Sequence, residues 1–332
     1  MFKLTRPAAV LLLLLLIAPP ACGPMTITIG GPNRGIEETT VDDPRGHGGD
    51  KIAIIDISGL LINAEKPGLL QAGENPVSLL HEQLRHAAED DDVKAIVLRL
   101  NTPGGGVTAS DIMYGEVQRF RAVSGKPVVA MAMDVTASGG YYLACAADRI
   151  VAQPTSVVGS IGVIVQTVSI KPALQRWGVE AEAITSGPNK AAGSPLEVMT
   201  DEHRAVLRGL VDDFYARFVT VVREARPQID GQQFDTVTDG RVMSGRRALA
   251  AGLVDEVGDI YDAAAAARAL AGIDRAKLVV YHRPADYAPS PYAADPTASR
   301  GGTQINLAQV NLSSDALTLP AGFYYLWRPT LP

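Results

Sequence analysis

The sequence predicts an α/β fold: a parallel sheet flanked by helices. Three observations carry the prediction. Short continuous apolar runs rich in β-branched residues recur at Ile52–Ile57, Ala95–Leu100 and Pro127–Met133, the pattern of strands buried on both faces. Between them lie stretches with apolar residues at helical spacing, such as Pro76–Ala88 and the stretch from Thr108 to about Ala122. This alternation implies parallel pairing through right-handed crossovers. Third, a glycine run, Gly104-Gly105-Gly106, falls at the carboxyl end of a strand, where open α/β sheets bind ligands.

The chain opens on a targeting segment, residues 1–22. Lys3 and Arg6 make a basic start, and Ala8–Ala18 is apolar. That run is shorter than the roughly 20 residues of a comfortable membrane span and fits a secretory signal. Pro19-Pro20-Ala21-Cys22 follows. A small residue before a cysteine resembles a bacterial lipoprotein processing site, from which the two prolines depart. Lipidation of Cys22, an ordinary cleaved signal and a retained N-terminal anchor all stay open. Each associates the body with, or releases it beyond, the extracytoplasmic (periplasmic) face of the membrane.

Residues 23–50 are rich in Gly, Pro, Thr and acidic side chains and show no periodicity; they read as a flexible linker. The α/β rhythm occupies residues 51–283. Arg149–Ala152 is a further short strand. Thr200–Arg226 carries a long helical apolar stripe, suited to covering the sheet or a neighbouring subunit. Arg241–Leu253 contains a short helix capped by Ser244 and stopped at Gly252, and Asp262–Ala271 is an alanine-rich helix. Residues 284–332 form a polar, Pro-rich extension ending in the apolar Leu319–Trp327. Packing on the body, a subunit or the membrane would each suit that tail. The net charge of −6 argues against nucleic acid as a partner. The two cysteines, Cys22 and Cys145, build neither a disulfide framework nor a cysteine metal site.

One stretch carries chemistry. Asp134–Asp148 reads D-V-T-A-S-G-G-Y-Y-L-A-C-A-A-D, a strand, a tight turn and a wholly apolar helix. A serine on such a turn has its hydroxyl thrust over the end of the sheet, and the following backbone N–H groups point at the same spot. Ser138 therefore reads as a nucleophile beside an anion-stabilising site, or as a plain helix cap. Ser160, between Gly159 and Gly162, is a bend or a residue that orients a catalytic amine. No histidine sits in a glycine-rich loop at a strand end: His47 is in the linker, His81 and His86 are on a polar helix face, and His203 is in the first turn of a helix. Lys190 lies in a loop of small residues, Ser186–Pro195. It acts as a base only if burial keeps it neutral; otherwise it is a solvated surface lysine.

The stretch from about Lys51 to Tyr261 resembles the signal peptide peptidase A family of serine–lysine peptidases. The matching segments are Leu98–Gly106, Thr136–Ala144, Ala147–Ala152, Gly159–Val163, Lys190 with Gly193-Ser194-Pro195 and Met199-Thr200, and Gly252–Asp255. Thr102 stands where that family commonly has serine. The resemblance implies a ClpP/crotonase-like fold of repeated β-β-α-type units. It also implies Ser138 as nucleophile, Lys190 as general base, and an oxyanion hole from Gly104 or Gly105 with the N–H of Gly139. It implies membrane-associated cleavage of short apolar peptides such as remnant signal peptides, a homo-oligomeric ring, and no metal or cofactor. Two other functions suit the same fold: a non-catalytic membrane scaffold and a crotonase-like acyl-CoA enzyme. Retention of both Ser138 and Lys190 speaks against the first, and the export signal against the second.

Overall fold

The computed structural model describes residues 35–43, 49–65, 74–283, 290–293 and 322–327. The expected targeting segment with Cys22, and most of the linker and of the C-terminal extension, lie outside the described residues. In chain order the strands are β1 (Glu37–Asp42), β2 (Lys51–Ser58), β3 (Val93–Thr102), β4 (Gly104–Gly106), β5 (Val128–Ala137), β6 (Arg149–Ala152), β7 (Val157–Gly159), β8 (Ile164–Val165), β9 (Val242–Ser244), β10 (Glu256–Val257), β11 (Lys277–His282) and β12 (Phe323–Leu326). The helices are α1 (Pro76–Glu89), α2 (Val107–Ser124), α3 (Gly139–Ala144), α4 (Lys171–Arg176), α5 (Asp201–Ala225), α6 (Gly231–Val237), α7 (Gly245–Ala250) and α8 (Ile260–Ala271).

The main sheet runs β1-β11-β2-β3-β5-β6-β10, parallel throughout except at its β1 edge. Successive side chains of a strand face opposite sides, and here both sides are covered. Ile55, Ile96, Leu98 and Ala130 face a core shared with α1, α2, α3 and α5. Ile52, Ile54, Val97 and Met131 face α8. The buried face of α8 is Ile260, Ala263, Ala264, Ala266 and Ala267, small side chains that let the helix lie close on the sheet. An Asp259–Asp262 capping box starts α8, and Gly272 in the left-handed conformation ends it.

Three local expectations change. The linker contains β1, which pairs antiparallel with β11. Its sequence, E-E-T-T-V-D, has no apolar periodicity, because an edge strand is held mainly by its ladder. The helix expected from Thr108 begins at Val107, with Gly106 as a cap that uses no side chain. Ser244 likewise precedes α7 without a capping bond. Thr200 does cap α5, its hydroxyl accepting from His203 N–H at 3.1 Å.

Lys51 ties the edge to the core. Its ammonium lies 2.8 Å from Glu38 on β1 and 2.9 Å from Asp90, just after α1. Burial works against the Lys51 charge, but the two carboxylates outweigh it and raise its pKa. Burial likewise works against the Asp90 charge, and the hydrogen bonds from Lys51 and Asp92 N–H outweigh it, lowering its pKa. A depressed carboxyl contributes stability above its unfolded pKa of about 3.9 and loses it as pH falls through the lower folded value. The wild type should therefore melt above Asp90→Asn at about pH 7, and the gap should close below about pH 4. A gap unchanged in a calorimetric scan at about pH 3 would refute the pairing.

Candidate active site

The site lies where β5 ends. Ser138 follows directly, at φ 54° and ψ −117°, a conformation that costs a non-glycine residue about 1–3 kcal/mol and persists only when its surroundings impose it. Its N–H donates to Gly159 O at 2.7 Å. Its hydroxyl makes no capping bond to α3, which removes the plain-cap reading. The hydroxyl is buried and has no hydrogen-bond partner among the described residues. A buried unpaired hydroxyl costs about 1–3 kcal/mol, so strain and desolvation meet at one side chain.

Beyond β6, β5 pairs in parallel with β7, in the register Val135↔Val157, Thr136↔Val158, Ala137↔Gly159. The next residues along the two strands are Ser138 and Ser160. Ser160 shares the unusual backbone, at φ 53°, and is held by its N–H to Arg241 O at 2.7 Å.

The glycine run faces this turn. Leu61 N–H donates to Gly104 O, and Gly106 N–H donates to Leu61 O. By alternation, the N–H and C=O of Gly105 point to the opposite edge. The N–H of Gly104 is already committed to the Thr102 hydroxyl at 3.0 Å. Gly105 is thus the member of the pair named from sequence whose N–H is turned to that edge rather than to Leu61 or the Thr102 hydroxyl, with Gly139 beside it. Only glycine fits here: a Cβ on Gly104 would lie 2.6 Å from Gly139 N, and one on Gly105 would lie 2.0 Å from Leu61 O.

The edge that Gly105 presents is occupied by the chain's own C-terminal segment. Strand β12 lies between β4 and β8, antiparallel to both, with Tyr325 opposite Gly105 and Tyr324 opposite Ile164. The carbonyl oxygen of Tyr325 would sit 2.0 Å from a Cβ on Gly104 and 3.1 Å from one on Gly139. It therefore lies between the β4 strand end and the Ser138 turn. The Tyr325 side chain is fully buried, stacked on Tyr142 at 5.2 Å and against Phe218 at 4.7 Å, with its hydroxyl donating to Phe214 O at 2.7 Å. Phe323 meets Phe214 edge-on. From sequence this tail had three open destinations; the body is the one taken by residues 323–326. Its signal was the aromatic run itself, and its destination was invisible because its partner is a strand of three glycines.

Lys190 lies apart from the Ser138 turn in the single chain. Its side chain is exposed, and it makes no hydrogen bond to the Ser138 hydroxyl. The cause is the segment that carries it: residues 164–199 cover little of the body and leave Val168, Trp177 (79% exposed), Ile184 (98% exposed) and Val198 to solvent. The apolar stripe of α5 is also open at its start, at Val206 and Leu210. Among the described residues no helix is long and apolar enough to cross a membrane.

Burying an aromatic side chain stabilises by several kcal/mol, so Tyr325 should dominate β12 docking. In Tyr325→Ala, the backbone amides of residues 323–326 and of Gly105 should lose hydrogen-exchange protection by about 100-fold or more. Those of β2, β3 and β5 should be unchanged. Equal loss across the core sheet would show that β12 is an integral part of the fold rather than an occupant of the groove.

Comparison with known proteins adds to this geometry. The model of peptidase family S49 matches residues 121–274. Protease 4 of Salmonella typhi is 36% identical over 233 residues, 70% of this chain and 37% of that protein. A putative signal peptide peptidase SppA of Enterococcus faecium is 30% identical over 233 residues, 70% of this chain and 66% of that protein. A putative protease of Synechocystis sp. is 32% identical over 228 residues, 69% of this chain and 77% of that protein. The chain thus spans little more than a third of the Salmonella protein.

Proposed function

Because this chain belongs to peptidase family S49, serine peptidases of ClpP/crotonase-like fold, we propose that it is a membrane-associated endopeptidase working through Ser138 and Lys190. The observation that carries this reading is the seat of β12. An extended peptide pairs by its main chain with β4 and β8, and its Tyr325 carbonyl lies by Gly104 and Gly139, next to Ser138. Recognition of this kind, by strand addition, accepts any extended chain, and pockets for alternate side chains select among them. The pocket formed by Tyr142 and Phe218 favours an aromatic or large apolar residue before the cut bond.

In this mechanism Ser138 Oγ attacks the carbonyl carbon of the bound peptide. A neutral Lys190 amine takes the hydroxyl proton and returns it to the leaving amine, and water then hydrolyses the acyl-enzyme. The N–H groups of Gly105 and Gly139 stabilise the oxyanion, and Ser160 orients the amine. Loss of one such donor typically costs about 10²–10³-fold in rate.

A lysine is a base near neutral pH only when desolvated, and in one chain Lys190 is exposed. A second copy resolves this. Covering the apolar surface around Trp177 and Ile184 buries the loop and brings Lys190 to the Ser138 of the neighbour. Head-to-tail contacts of this kind close into a ring. The ring confines the sites, so short apolar peptides such as remnant signal peptides enter and folded proteins do not. The N-terminal segment holds this assembly at the extracytoplasmic face of the membrane.

Ser138→Ala and Lys190→Ala should each abolish peptide hydrolysis, and the double variant should be no worse, as for groups that act as a unit. Mixing the two inactive single variants should restore activity, because mixed rings contain interfaces with both residues intact. Turnover by Lys190→Ala near the wild-type rate would sink the dyad. Inactive mixtures, or full activity from particles that light scattering shows to be monomeric, would sink the shared site.

The tail competes with substrate. Its tether gives it an effective concentration of order mM. A chain ending at Ala321 should therefore show a lower apparent KM for a peptide carrying tyrosine before the cut bond than the full chain does. An unchanged KM would mean that β12 does not compete for the groove.

A further inference from the structure

The loop that carries Lys190 is gripped at one point by the start of α5. His203 lies one turn into that helix and is more than nine-tenths buried, and its Nε2 donates to the carbonyl oxygen of Pro188 at 2.8 Å. The adjacent Glu202 accepts from Asn189 Nδ2 at 2.8 Å. Consecutive helix residues thus hold the two residues that precede Lys190. The grip is itself anchored, since Thr200 caps the helix through His203 N–H. The other His203 nitrogen, Nδ1, is buried without a partner among the described residues. His203 also lines a partly open pocket of about 20 Å³ beside Ala191, Gly193, Glu197 and Met199, room for roughly one water. A buried imidazole with one nitrogen spent on a loop carbonyl and the other left without a partner among the described residues does more than fill space.

Resting on the Ser138–Lys190 reading, we infer that His203 is a positioning residue for Lys190, fixing its loop through the carbonyl of Pro188. The need is physical. A lysine has about four rotatable bonds and much rotamer freedom to lose, and the segment around it is otherwise mostly exposed. A backbone fixed two residues before the amine removes the remaining freedom, and rate falls by about 100-fold for misplacements near 1 Å. The peptide groove, formed by β4 and β8, lies outside this contact, so binding should be spared.

The test is steady-state kinetics on the full chain with an apolar peptide. His203→Ala should lower kcat about 10–100-fold with KM nearly unchanged. His203→Gln, whose amide can still donate to Pro188 O, should regain most of it. Glu202→Ala, an exposed change that frees Asn189, should shift kcat in the same direction by less. A wild-type kcat in His203→Ala overturns the proposal. So does a His203→Gln as inactive as His203→Ala beside an inactive Lys190→Ala, because the imidazole itself would then be needed. If Lys190→Ala is active, the dyad reading fails first and this one with it. If His203→Ala does not fold, His203→Gln and Glu202→Ala decide: kcat preserved in the first and reduced in the second supports the grip, and any other pair of results refutes it.

Discussion

The Gly104–Gly105 peptide is where four backbones meet without a side chain between them. Leu61 lies on one side, Gly139 and Tyr325 on the other, and Thr102 beneath. Cβ atoms at Gly104, Gly105, Gly139 and Gly140 would come within 2.0–2.7 Å of neighbouring atoms, far inside contact distance. The glycines therefore do two things at once. They let the strand end approach the Ser138 turn, and they let the backbone of β12 pass against the Gly105 edge with no Cβ in the way.

Everything else sets the position of that meeting. The parallel register of β3, β5 and β7 brings Thr102, Ser138 and Ser160 to one end of the sheet. Tyr141 and Tyr142, buried in α3, anchor the turn from below, through Leu253 O and Asp111. Burial also pushes the Cys145 thiol of the same region up to about 12, so it stays a protonated, inert space-filler. The unfavourable backbone of Ser138 is held by a scaffold that forms for reasons of packing alone.

Much of this was legible in the residues. Buried parallel strands announce themselves by unbroken apolar runs, and the Ser138 turn by its strand, glycines and apolar helix. What escaped did so for physical reasons. β1 is an acidic edge strand held by its ladder to β11, and a ladder has no side-chain signature. The destination of Phe323–Leu326 depends on a glycine strand some 220 residues earlier in sequence, whose pattern of no side chains specifies no partner. That the Gly104 N–H is already taken depends on one hydroxyl, that of Thr102, whose reach back to it has no pattern in the residues. The exposure of Lys190 was hidden because the small residue types of its loop suit a buried and an exposed setting alike. His203 read as a first-turn helix residue; its bond to Pro188 spans 15 residues and needs the folded loop to be seen.

The placement of β12 between β4 and β8 also bears on how the molecule behaves in a crowded solution. A groove walled by two strand edges is, when empty, a pair of facing rows of unsatisfied N–H and C=O groups. Proteins normally blunt such edges with charge, proline or bulges, and the three glycines of β4 offer none of these. The tail supplies the missing protection from within, as a strand already in register. Subunits whose tail has been clipped would present a sticky seam to one another, and would gather in proportion to concentration by exchanging whatever extended segment lies free. A segment proposed to compete with substrate would thus also keep the protein dispersed.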